Sequence, residues 1–202
     1  MLLDDMKEAS TRRLFVFHLC TGARAEEAAL VKCRQFSPGG HRVTFLGNDS
    51  DDHVADYSGT KSGRTRSVDL PPRMMEYLPD LTRGNERAFL NRWGKPYAGR
   101  GALSKTLRAA CKRVGISPIG PHALRHSFAT WHYAVHKDTL KLMREGGWSD
   151  SKLVDRYVHA ATDDLALAAI RGGWAIPGQS HKWFNEKPNL NKGVSNNGNH
   201  PW

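Results

Sequence analysis

Apolar residues recur every three or four positions along most of the chain and alternate with polar residues in one short region. Residues 12–31 predict two helices with a break at Thr21-Gly22, because apolar side chains fill both halves around that glycine. Residues 41–70 instead alternate and contain two turn-rich stretches, 47–50 and 59–63. This region therefore predicts a small antiparallel sheet of two or three strands.

The same periodicity predicts the remaining helices. We expect a short opening helix from Leu2 to Glu8, and further helices over 71–81, 99–114, from Pro121, over 138–145, around 153–158 and over 163–171. The fold class is thus α+β and mostly helical. We expect residues 1–171 to form one domain, and residues 172–202, rich in Gly, Asn and Pro, to form a flexible tail.

Composition adds a preference for anionic partners. The 202 residues include 30 Lys plus Arg against 20 Asp plus Glu, a formal charge of +10 that favours polyanions such as nucleic acid. No stretch of apolar residues is long enough to predict a membrane span, and the acidic N-terminus does not resemble a secretory signal. We therefore expect a cytoplasmic protein that makes no membrane contact.

The cysteines predict neither a disulfide framework nor a zinc site. Cys20, Cys33 and Cys111 are odd in number and lack CxxC spacing, which favours buried free thiols. The histidines His122 and His126 have helical spacing, but no HExxH motif surrounds them. No metal site is expected.

The helix from Pro121 carries the most informative polar pattern. His122, Arg125 and His126 lie three and four positions apart and share one face, opposite an apolar stripe that includes Leu124 and Phe128. Such a face is suited to holding an anion. The alternative is an ordinary amphipathic helix with a solvated basic face.

Other segments join this face in a recognisable order. The chain carries Thr21-Gly22-Ala23-Arg24 with Glu27, the stretch Thr60 to Arg66, the HxLRH motif at 122–126, Gly147-Trp148, and Tyr157-Val158-His159. Over roughly residues 10–171 this set resembles the catalytic domain of the tyrosine recombinases, the family of phage-type integrases.

The resemblance implies site-specific integration or excision by cleaving and rejoining DNA strands through a covalent 3′-phosphotyrosyl intermediate. The chemistry needs neither metal nor ATP, because a nucleophile, charge stabilisation and a proton donor suffice. The resemblance implies that Tyr157 is the nucleophile and Lys61 the general acid. It implies that Arg24 and Arg125 clamp the scissile phosphate. It also implies that His122 and Trp148 donate hydrogen bonds to that phosphate and that His122 assists proton transfer from the tyrosine.

The resemblance also implies supporting residues and partners. Glu27 would hold the helix of the first arginine, and His126 and His159 would be supporting companions. The partner is double-stranded DNA, typically of a mobile element, bound by a tetramer of protomers that are monomeric when free, with a possible accessory DNA-bending protein. The helix over 99–114 supplies candidates for DNA-backbone contacts: Lys105, Arg108, Lys112 and Arg113.

The chain departs from the family pattern in three places. Almost nothing precedes the first shared helix, where the family has a core-binding domain, so we expect either a fragment or a minimal recombinase. Gly146 replaces a common leucine, and Trp148 stands where many members have histidine. The alternatives are a truncated, catalytically silent DNA-binding fragment and a type IB topoisomerase-like activity that relaxes DNA.

Overall fold

The fold is mostly helical, with one small sheet. A computed structural model describes residues 6, 8–47, 63–98 and 100–176. Its helices and strands are α1 (Ala9–Thr21), α2 (Ala25–Leu30), β1 (Arg42–Phe45), β2 (Arg66–Asp69), α3 (Arg100–Arg113), α4 (Pro121–His136), α5 (Thr139–Gly146), α6 (Lys152–Ala160) and α7 (Asp163–Arg171). Of the expected opening helix over 2–8, only Met6 and Glu8 lie within the described residues, and neither is helical.

Helix α1 lies at the centre of the core. Leu14, Phe15, Val16 and Phe17 are four consecutive residues with no solvent exposure, so this helix is buried on every side. It packs against α4 and ends where the sequence predicted, at Thr21-Gly22. The break places Gly22 against Arg125 in the N-terminal half of α4.

The sheet contains two antiparallel strands, as predicted. Val43 pairs with Val68, and both side chains are buried. In this register Phe45 pairs with Arg66, whose side chain faces the same buried side. The charged side chain of Arg66 therefore lies on the buried face of β2.

The helix expected over 71–81 is wrong. The structure has two separate 3₁₀ turns, Pro72–Tyr77 and Leu81–Arg83. Between them Leu78 adopts an extended conformation, with φ −59° and ψ 140°. It precedes Pro79, whose ring disfavours the helical region for the preceding residue, so the helical periodicity could not be realised.

Helix α7 packs within the same chain, on α4. Ala134 and Val135 of α4 meet Ala166 and Ala169 of α7 in a small second core. The tail expected from Gly172 is described only to Ile176, and its Trp174 ring lies 6.0 Å from that of Trp131. The rest of the expected tail lies outside the described residues.

Three expectations about composition can be compared with the structure. Cys20, Cys33 and Cys111 are free and buried, as predicted. Among the described residues, no three His, Cys, Asp or Glu side chains are grouped in a way that could hold a metal ion. Within the same part of the chain, no helix is both long and apolar enough to cross a membrane.

Candidate active site

The N-terminal half of α4 provides the polar face that the sequence predicted. Pro121 occupies the first turn, where its missing N–H costs nothing and its fixed φ suits a helix. His122 is exposed and His126 is partly buried, whereas Arg125 is only 2% exposed. The face therefore places a cation inside the protein rather than in solvent.

Gly22 accommodates this buried arginine. It adopts a left-handed conformation with φ 58°, and a Cβ at this position would lie 2.2 Å from Cδ1 of Phe128. Glycine avoids both the backbone strain and the clash. Its carbonyl oxygen accepts a hydrogen bond from Nη1 of Arg125, which links the α1–α2 break to α4.

Arg125, Trp148 and Tyr157 form a stacked row contributed by three segments. The guanidinium carbon of Arg125 lies 3.9 Å from the centre of a Trp148 ring. The Trp148 and Tyr157 ring centres are in turn 5.8 Å apart. One indole thus separates the arginine and the tyrosine that the sequence assigned to phosphate binding and attack.

Glu27 connects Arg24 to the buried Arg66. Its carboxylate accepts hydrogen bonds from Nη1 of Arg24 at 3.0 Å and from Nη2 of Arg66 at 2.6 Å. Arg24 also donates through Nη2 to the carbonyl of Gly147 at 3.0 Å, while Arg66 donates through Nε to the carbonyl of Glu145. These contacts fix Arg24 against the segment that carries Trp148.

The ionic groups leave an excess of positive charge at the site. Burial alone would raise the pKa of Glu27, but Arg66 and Arg24 outweigh it and lower that pKa to about 2. Burial, reinforced by the charge of Arg24, lowers the pKa of Arg125 to about 9, so its guanidinium still carries a full charge at neutral pH. Because Glu27 is the one carboxylate bonded to these arginines among the described residues, an anion would relieve their repulsion.

Tyr157 and His126 are in direct contact. Tyr157, on α6, is 5% exposed, and its Oη lies 2.5 Å from Nδ1 of His126 on α4. Burial raises the pKa of Tyr157, whereas the nearby Arg156 and Arg125 oppose that rise. The hydroxyl is therefore protonated at neutral pH and has a hydrogen-bonding partner.

Gly146 and Trp148 compensate for each other. A Cβ at Gly146 would lie 1.8 Å from Cζ3 of Trp148, so the indole occupies the space that a side chain at position 146 would need. The glycine at position 146 and the tryptophan at position 148 therefore fit each other sterically.

This compensation predicts that the effect of Gly146→Ala changes sign with the residue at position 148. With Trp148 present, overpacking of about 1–3 kcal/mol should exceed the gain of up to about 1 kcal/mol from alanine in a helix, so the variant is destabilised. In a Trp148→His background the clash disappears and alanine should be neutral or stabilising. Urea unfolding of the four proteins measures this; the same destabilisation in both backgrounds would contradict the packing account.

His18 lies beneath the site and predicts a dependence of stability on pH. It is 1% exposed, and burial lowers its pKa to about 4 from an ordinary 6.5, although the backbone of Ala23 opposes that fall. As the pH falls from 6.5 towards 4, the unfolded chain binds a proton that the folded chain excludes, so stability should decrease. Urea midpoints of His18→Phe should vary less across this range, whereas those of the exposed-site control His41→Phe should follow the parent chain. Equal slopes for His18→Phe and the parent chain would rule out this assignment.

The structure does not bring all candidate residues together. Lys61 lies outside the described residues. His159 is exposed, two positions after the buried Tyr157 and so on a different side of α6. The four basic candidates of α3 are all exposed, as a DNA-backbone contact requires: Lys105, Arg108, Lys112 and Arg113.

Two residues of the site were missed from the sequence. Arg66 had a signal, because it alternates with Val68 and Leu70 in the buried phase of β2, where a charged residue needs a partner. Arg156 gave no sequence signal that distinguishes it from other exposed basic residues. Its charge acts on His126 and Tyr157 only because α6 packs against α4.

Comparison with known families and sequences identifies the family of the chain. Residues 2–163 match the model of the phage integrase family. The integrase of Escherichia phage 186 is 31% identical over 150 residues, which cover 73% of this chain and 37% of that protein. The chain therefore spans well under two thirds of this relative.

Solved structures show the same fold. The catalytic domain of bacteriophage HP1 integrase superposes with a TM-score of 0.57 and 25% identity, covering 84% of this chain and 88% of that one. The XerH site-specific recombinase, in a post-cleavage complex with palindromic difH substrate, gives a TM-score of 0.59 at 23% identity, covering 83% of this chain and 48% of that one. The second likeness supports the fold alone.

Proposed function

Because the chain belongs to the phage integrase family, the tyrosine recombinases, we propose that it cleaves and rejoins DNA strands at specific sites through a 3′-phosphotyrosyl intermediate. The observation that carries the proposal is the row of Arg125, Trp148 and Tyr157. It gathers a buried cation, an indole and a buried tyrosine from α4, the α5–α6 turn and α6. A packing role alone would not account for burying Arg125 next to a second arginine, Arg24.

In this mechanism the two arginines bind the scissile phosphate. Their guanidinium groups carry planar, paired N–H donors that suit the non-bridging oxygens, and they stabilise the charge of the five-coordinate transition state. The mutual repulsion of Arg24 and Arg125 decreases when that anion binds. His122 and the indole N–H of Trp148 donate further hydrogen bonds to the phosphate.

Tyr157 supplies the nucleophile. Its Oη attacks phosphorus, the bond to the 5′ oxygen breaks, and Lys61 returns a proton to that oxygen. The phosphotyrosyl link preserves the energy of the phosphodiester, so a 5′-hydroxyl rejoins the strand without a nucleotide cofactor. Glu27 acts indirectly, by accepting hydrogen bonds from the backbone N–H of Arg24 at 2.7 Å and from its Nη1 at 3.0 Å.

The DNA-free arrangement is a resting state in this proposal. Arg125 donates to the carbonyl of Gly22, and the Tyr157 hydroxyl contacts His126, so both groups have protein partners. A bound phosphate replaces the contact at Gly22 with a stronger, charged one. The exposed basic side chains of α3 would contact the DNA backbone, which makes binding strongly dependent on salt. By the family resemblance, a tetramer on DNA is the active assembly.

A covalent-trapping experiment tests the function. DNA fragments from the regions flanking the gene are first ranked by how tightly the chain binds them, and nicked suicide substrates are then made from the fragments that bind. We expect a protein–DNA adduct that survives denaturation and forms in the presence of a chelator. No adduct on DNA that the chain binds would overturn the recombinase proposal and favour a catalytically silent DNA-binding protein.

A further inference from the structure

Two histidines of α4 lie near the proposed nucleophile, and they differ in their contact with it. Nδ1 of His126 lies 2.5 Å from Oη of Tyr157, with the two ring centres 5.6 Å apart. We propose that His126, rather than His122, is the general base that takes the proton from Tyr157 during strand cleavage and returns it during rejoining. This inference rests on the proposed function and deepens it.

His122 is less suited to this step by position. Its ring meets that of His126 edge-on, with the centres 4.3 Å apart, and among the described residues it makes no hydrogen bond to Tyr157. It is also exposed, at the open end of α4. His122 is thus open to solvent, while His126 contacts the tyrosine.

The contacts around Tyr157 hold its hydroxyl towards His126. The Trp148 ring lies on one side of the tyrosine ring, 5.8 Å between centres. His126 belongs to α4, which packs directly against α6. A donor and an acceptor on two packed helices satisfy the geometric requirement for proton transfer before DNA arrives.

The charges around His126 and Tyr157 favour the neutral form of His126, which can accept a proton. Burial lowers the pKa of His126, and the cations Arg156 on α6 and Arg125 on α4 lower it further. The neighbouring His122, also on α4, has a lowered pKa for the same leading reason. At neutral pH His126 is therefore a neutral imidazole with a lone pair to offer, and Tyr157 still holds the proton that must leave.

The step balances without any added reactant. The proton on Oη of Tyr157 passes to Nδ1 of His126 as the bond from Oη to phosphorus forms. The bond from phosphorus to the 5′ oxygen breaks, and that oxygen gains the proton of the general acid. In rejoining, the 5′-hydroxyl attacks phosphorus and the departing Oη recovers its proton from His126.

The experiment measures single-turnover cleavage by the full chain as a function of pH. Two suicide substrates are used: an ordinary phosphodiester and one whose 5′ bridging oxygen is replaced by sulfur, a leaving group that needs no acid. His126→Ala should slow adduct formation by about 10²-fold on both substrates. If His126 were instead the general acid, the sulfur substrate would restore the cleavage rate of His126→Ala.

The pH profile and chemical rescue separate a base from a structural residue. The parent chain should gain activity as the pH rises through the lowered pKa of His126, below 6.5, and then level off. His126→Ala should lack this step, and added imidazole should restore part of its rate. His41→Ala, which removes an exposed histidine from the loop before β1, is the matched control and should behave like the parent chain.

Three results would overturn the inference: an unchanged rate in His126→Ala, an unchanged pH profile, or a defect that the sulfur substrate relieves. If His126→Ala unfolds, His126→Asn is used, and its circular dichroism and DNA affinity must match those of the parent chain. Absence of an adduct with the parent chain refutes the proposed function itself, whereas an adduct that forms equally well without His126 refutes this inference alone.

Discussion

Tyr157→Phe should abolish covalent adduct formation, with a fall of at least ~10³-fold in the rate of strand cleavage. The substitution removes one oxygen, the atom proposed to attack phosphorus. Because Tyr157 is 5% exposed and its hydroxyl contacts only His126 among the described residues, the variant should fold and lose about 1 kcal/mol of stability at most. Denaturing electrophoresis of trapped complexes measures the adduct.

The control for this loss is a second, partly buried tyrosine with no proposed role. Tyr77 packs against the core from a 3₁₀ turn, so Tyr77→Phe should retain the adduct yield of the parent chain. DNA affinity should be unchanged in both variants, because neither substitution removes a positive charge. Residual adduct in Tyr157→Phe would mean that another residue attacks.

Glu27→Gln should cost roughly 3–5 kcal/mol of unfolding free energy. The side chains of Glu27 and Arg66 are only 3% and 4% exposed, and the carboxylate also accepts from the backbone N–H and guanidinium of Arg24. Neutralising it leaves the buried charge of Arg66 uncompensated. Urea unfolding monitored by circular dichroism gives the change, and adduct formation should fall with it because Arg24 loses its anchor.

A double-mutant cycle and an exposed pair provide the comparison. Removing both charges, as Glu27→Gln with Arg66→Met, should be less destabilising than the sum of the single changes, since Arg66 is no longer left as a buried charge without its ion-pair partner. Asp69→Asn breaks an exposed ion pair with Arg42 on the same two strands and should leave stability nearly unchanged. Equal small effects for Glu27→Gln and Asp69→Asn would contradict the role given to the Glu27 cluster.

Much of the fold follows from local sequence signals. The helix break at Gly22, the start of α4 at Pro121 and the alternation of β1 and β2 are short-range features, and each lies where it was predicted. Periodicity alone predicted a helix over 71–81 that does not form, because Pro79 disfavours the helical conformation of the residue before it. In this segment the steric effect of one proline outweighs the helical periodicity.

The site is less accessible to sequence reasoning, because its contacts join distant residues. Spacing placed His122, Arg125 and His126 on one face, but it did not indicate that Arg125 is buried or that His126 meets Tyr157. Those facts depend on how α6 packs on α4. The pairing of Gly146 with the Trp148 ring likewise becomes visible only once a turn folds back on itself.

The most direct test of the central claim is to locate the covalent bond. The trapped adduct is digested with nuclease and trypsin, and mass spectrometry identifies the peptide that retains nucleotide. We expect a 3′-linked nucleotide on the peptide spanning residues 157–171, which contains one tyrosine, Tyr157. Nucleotide on any other peptide, or release of a free 3′-phosphate without a protein link, would contradict it.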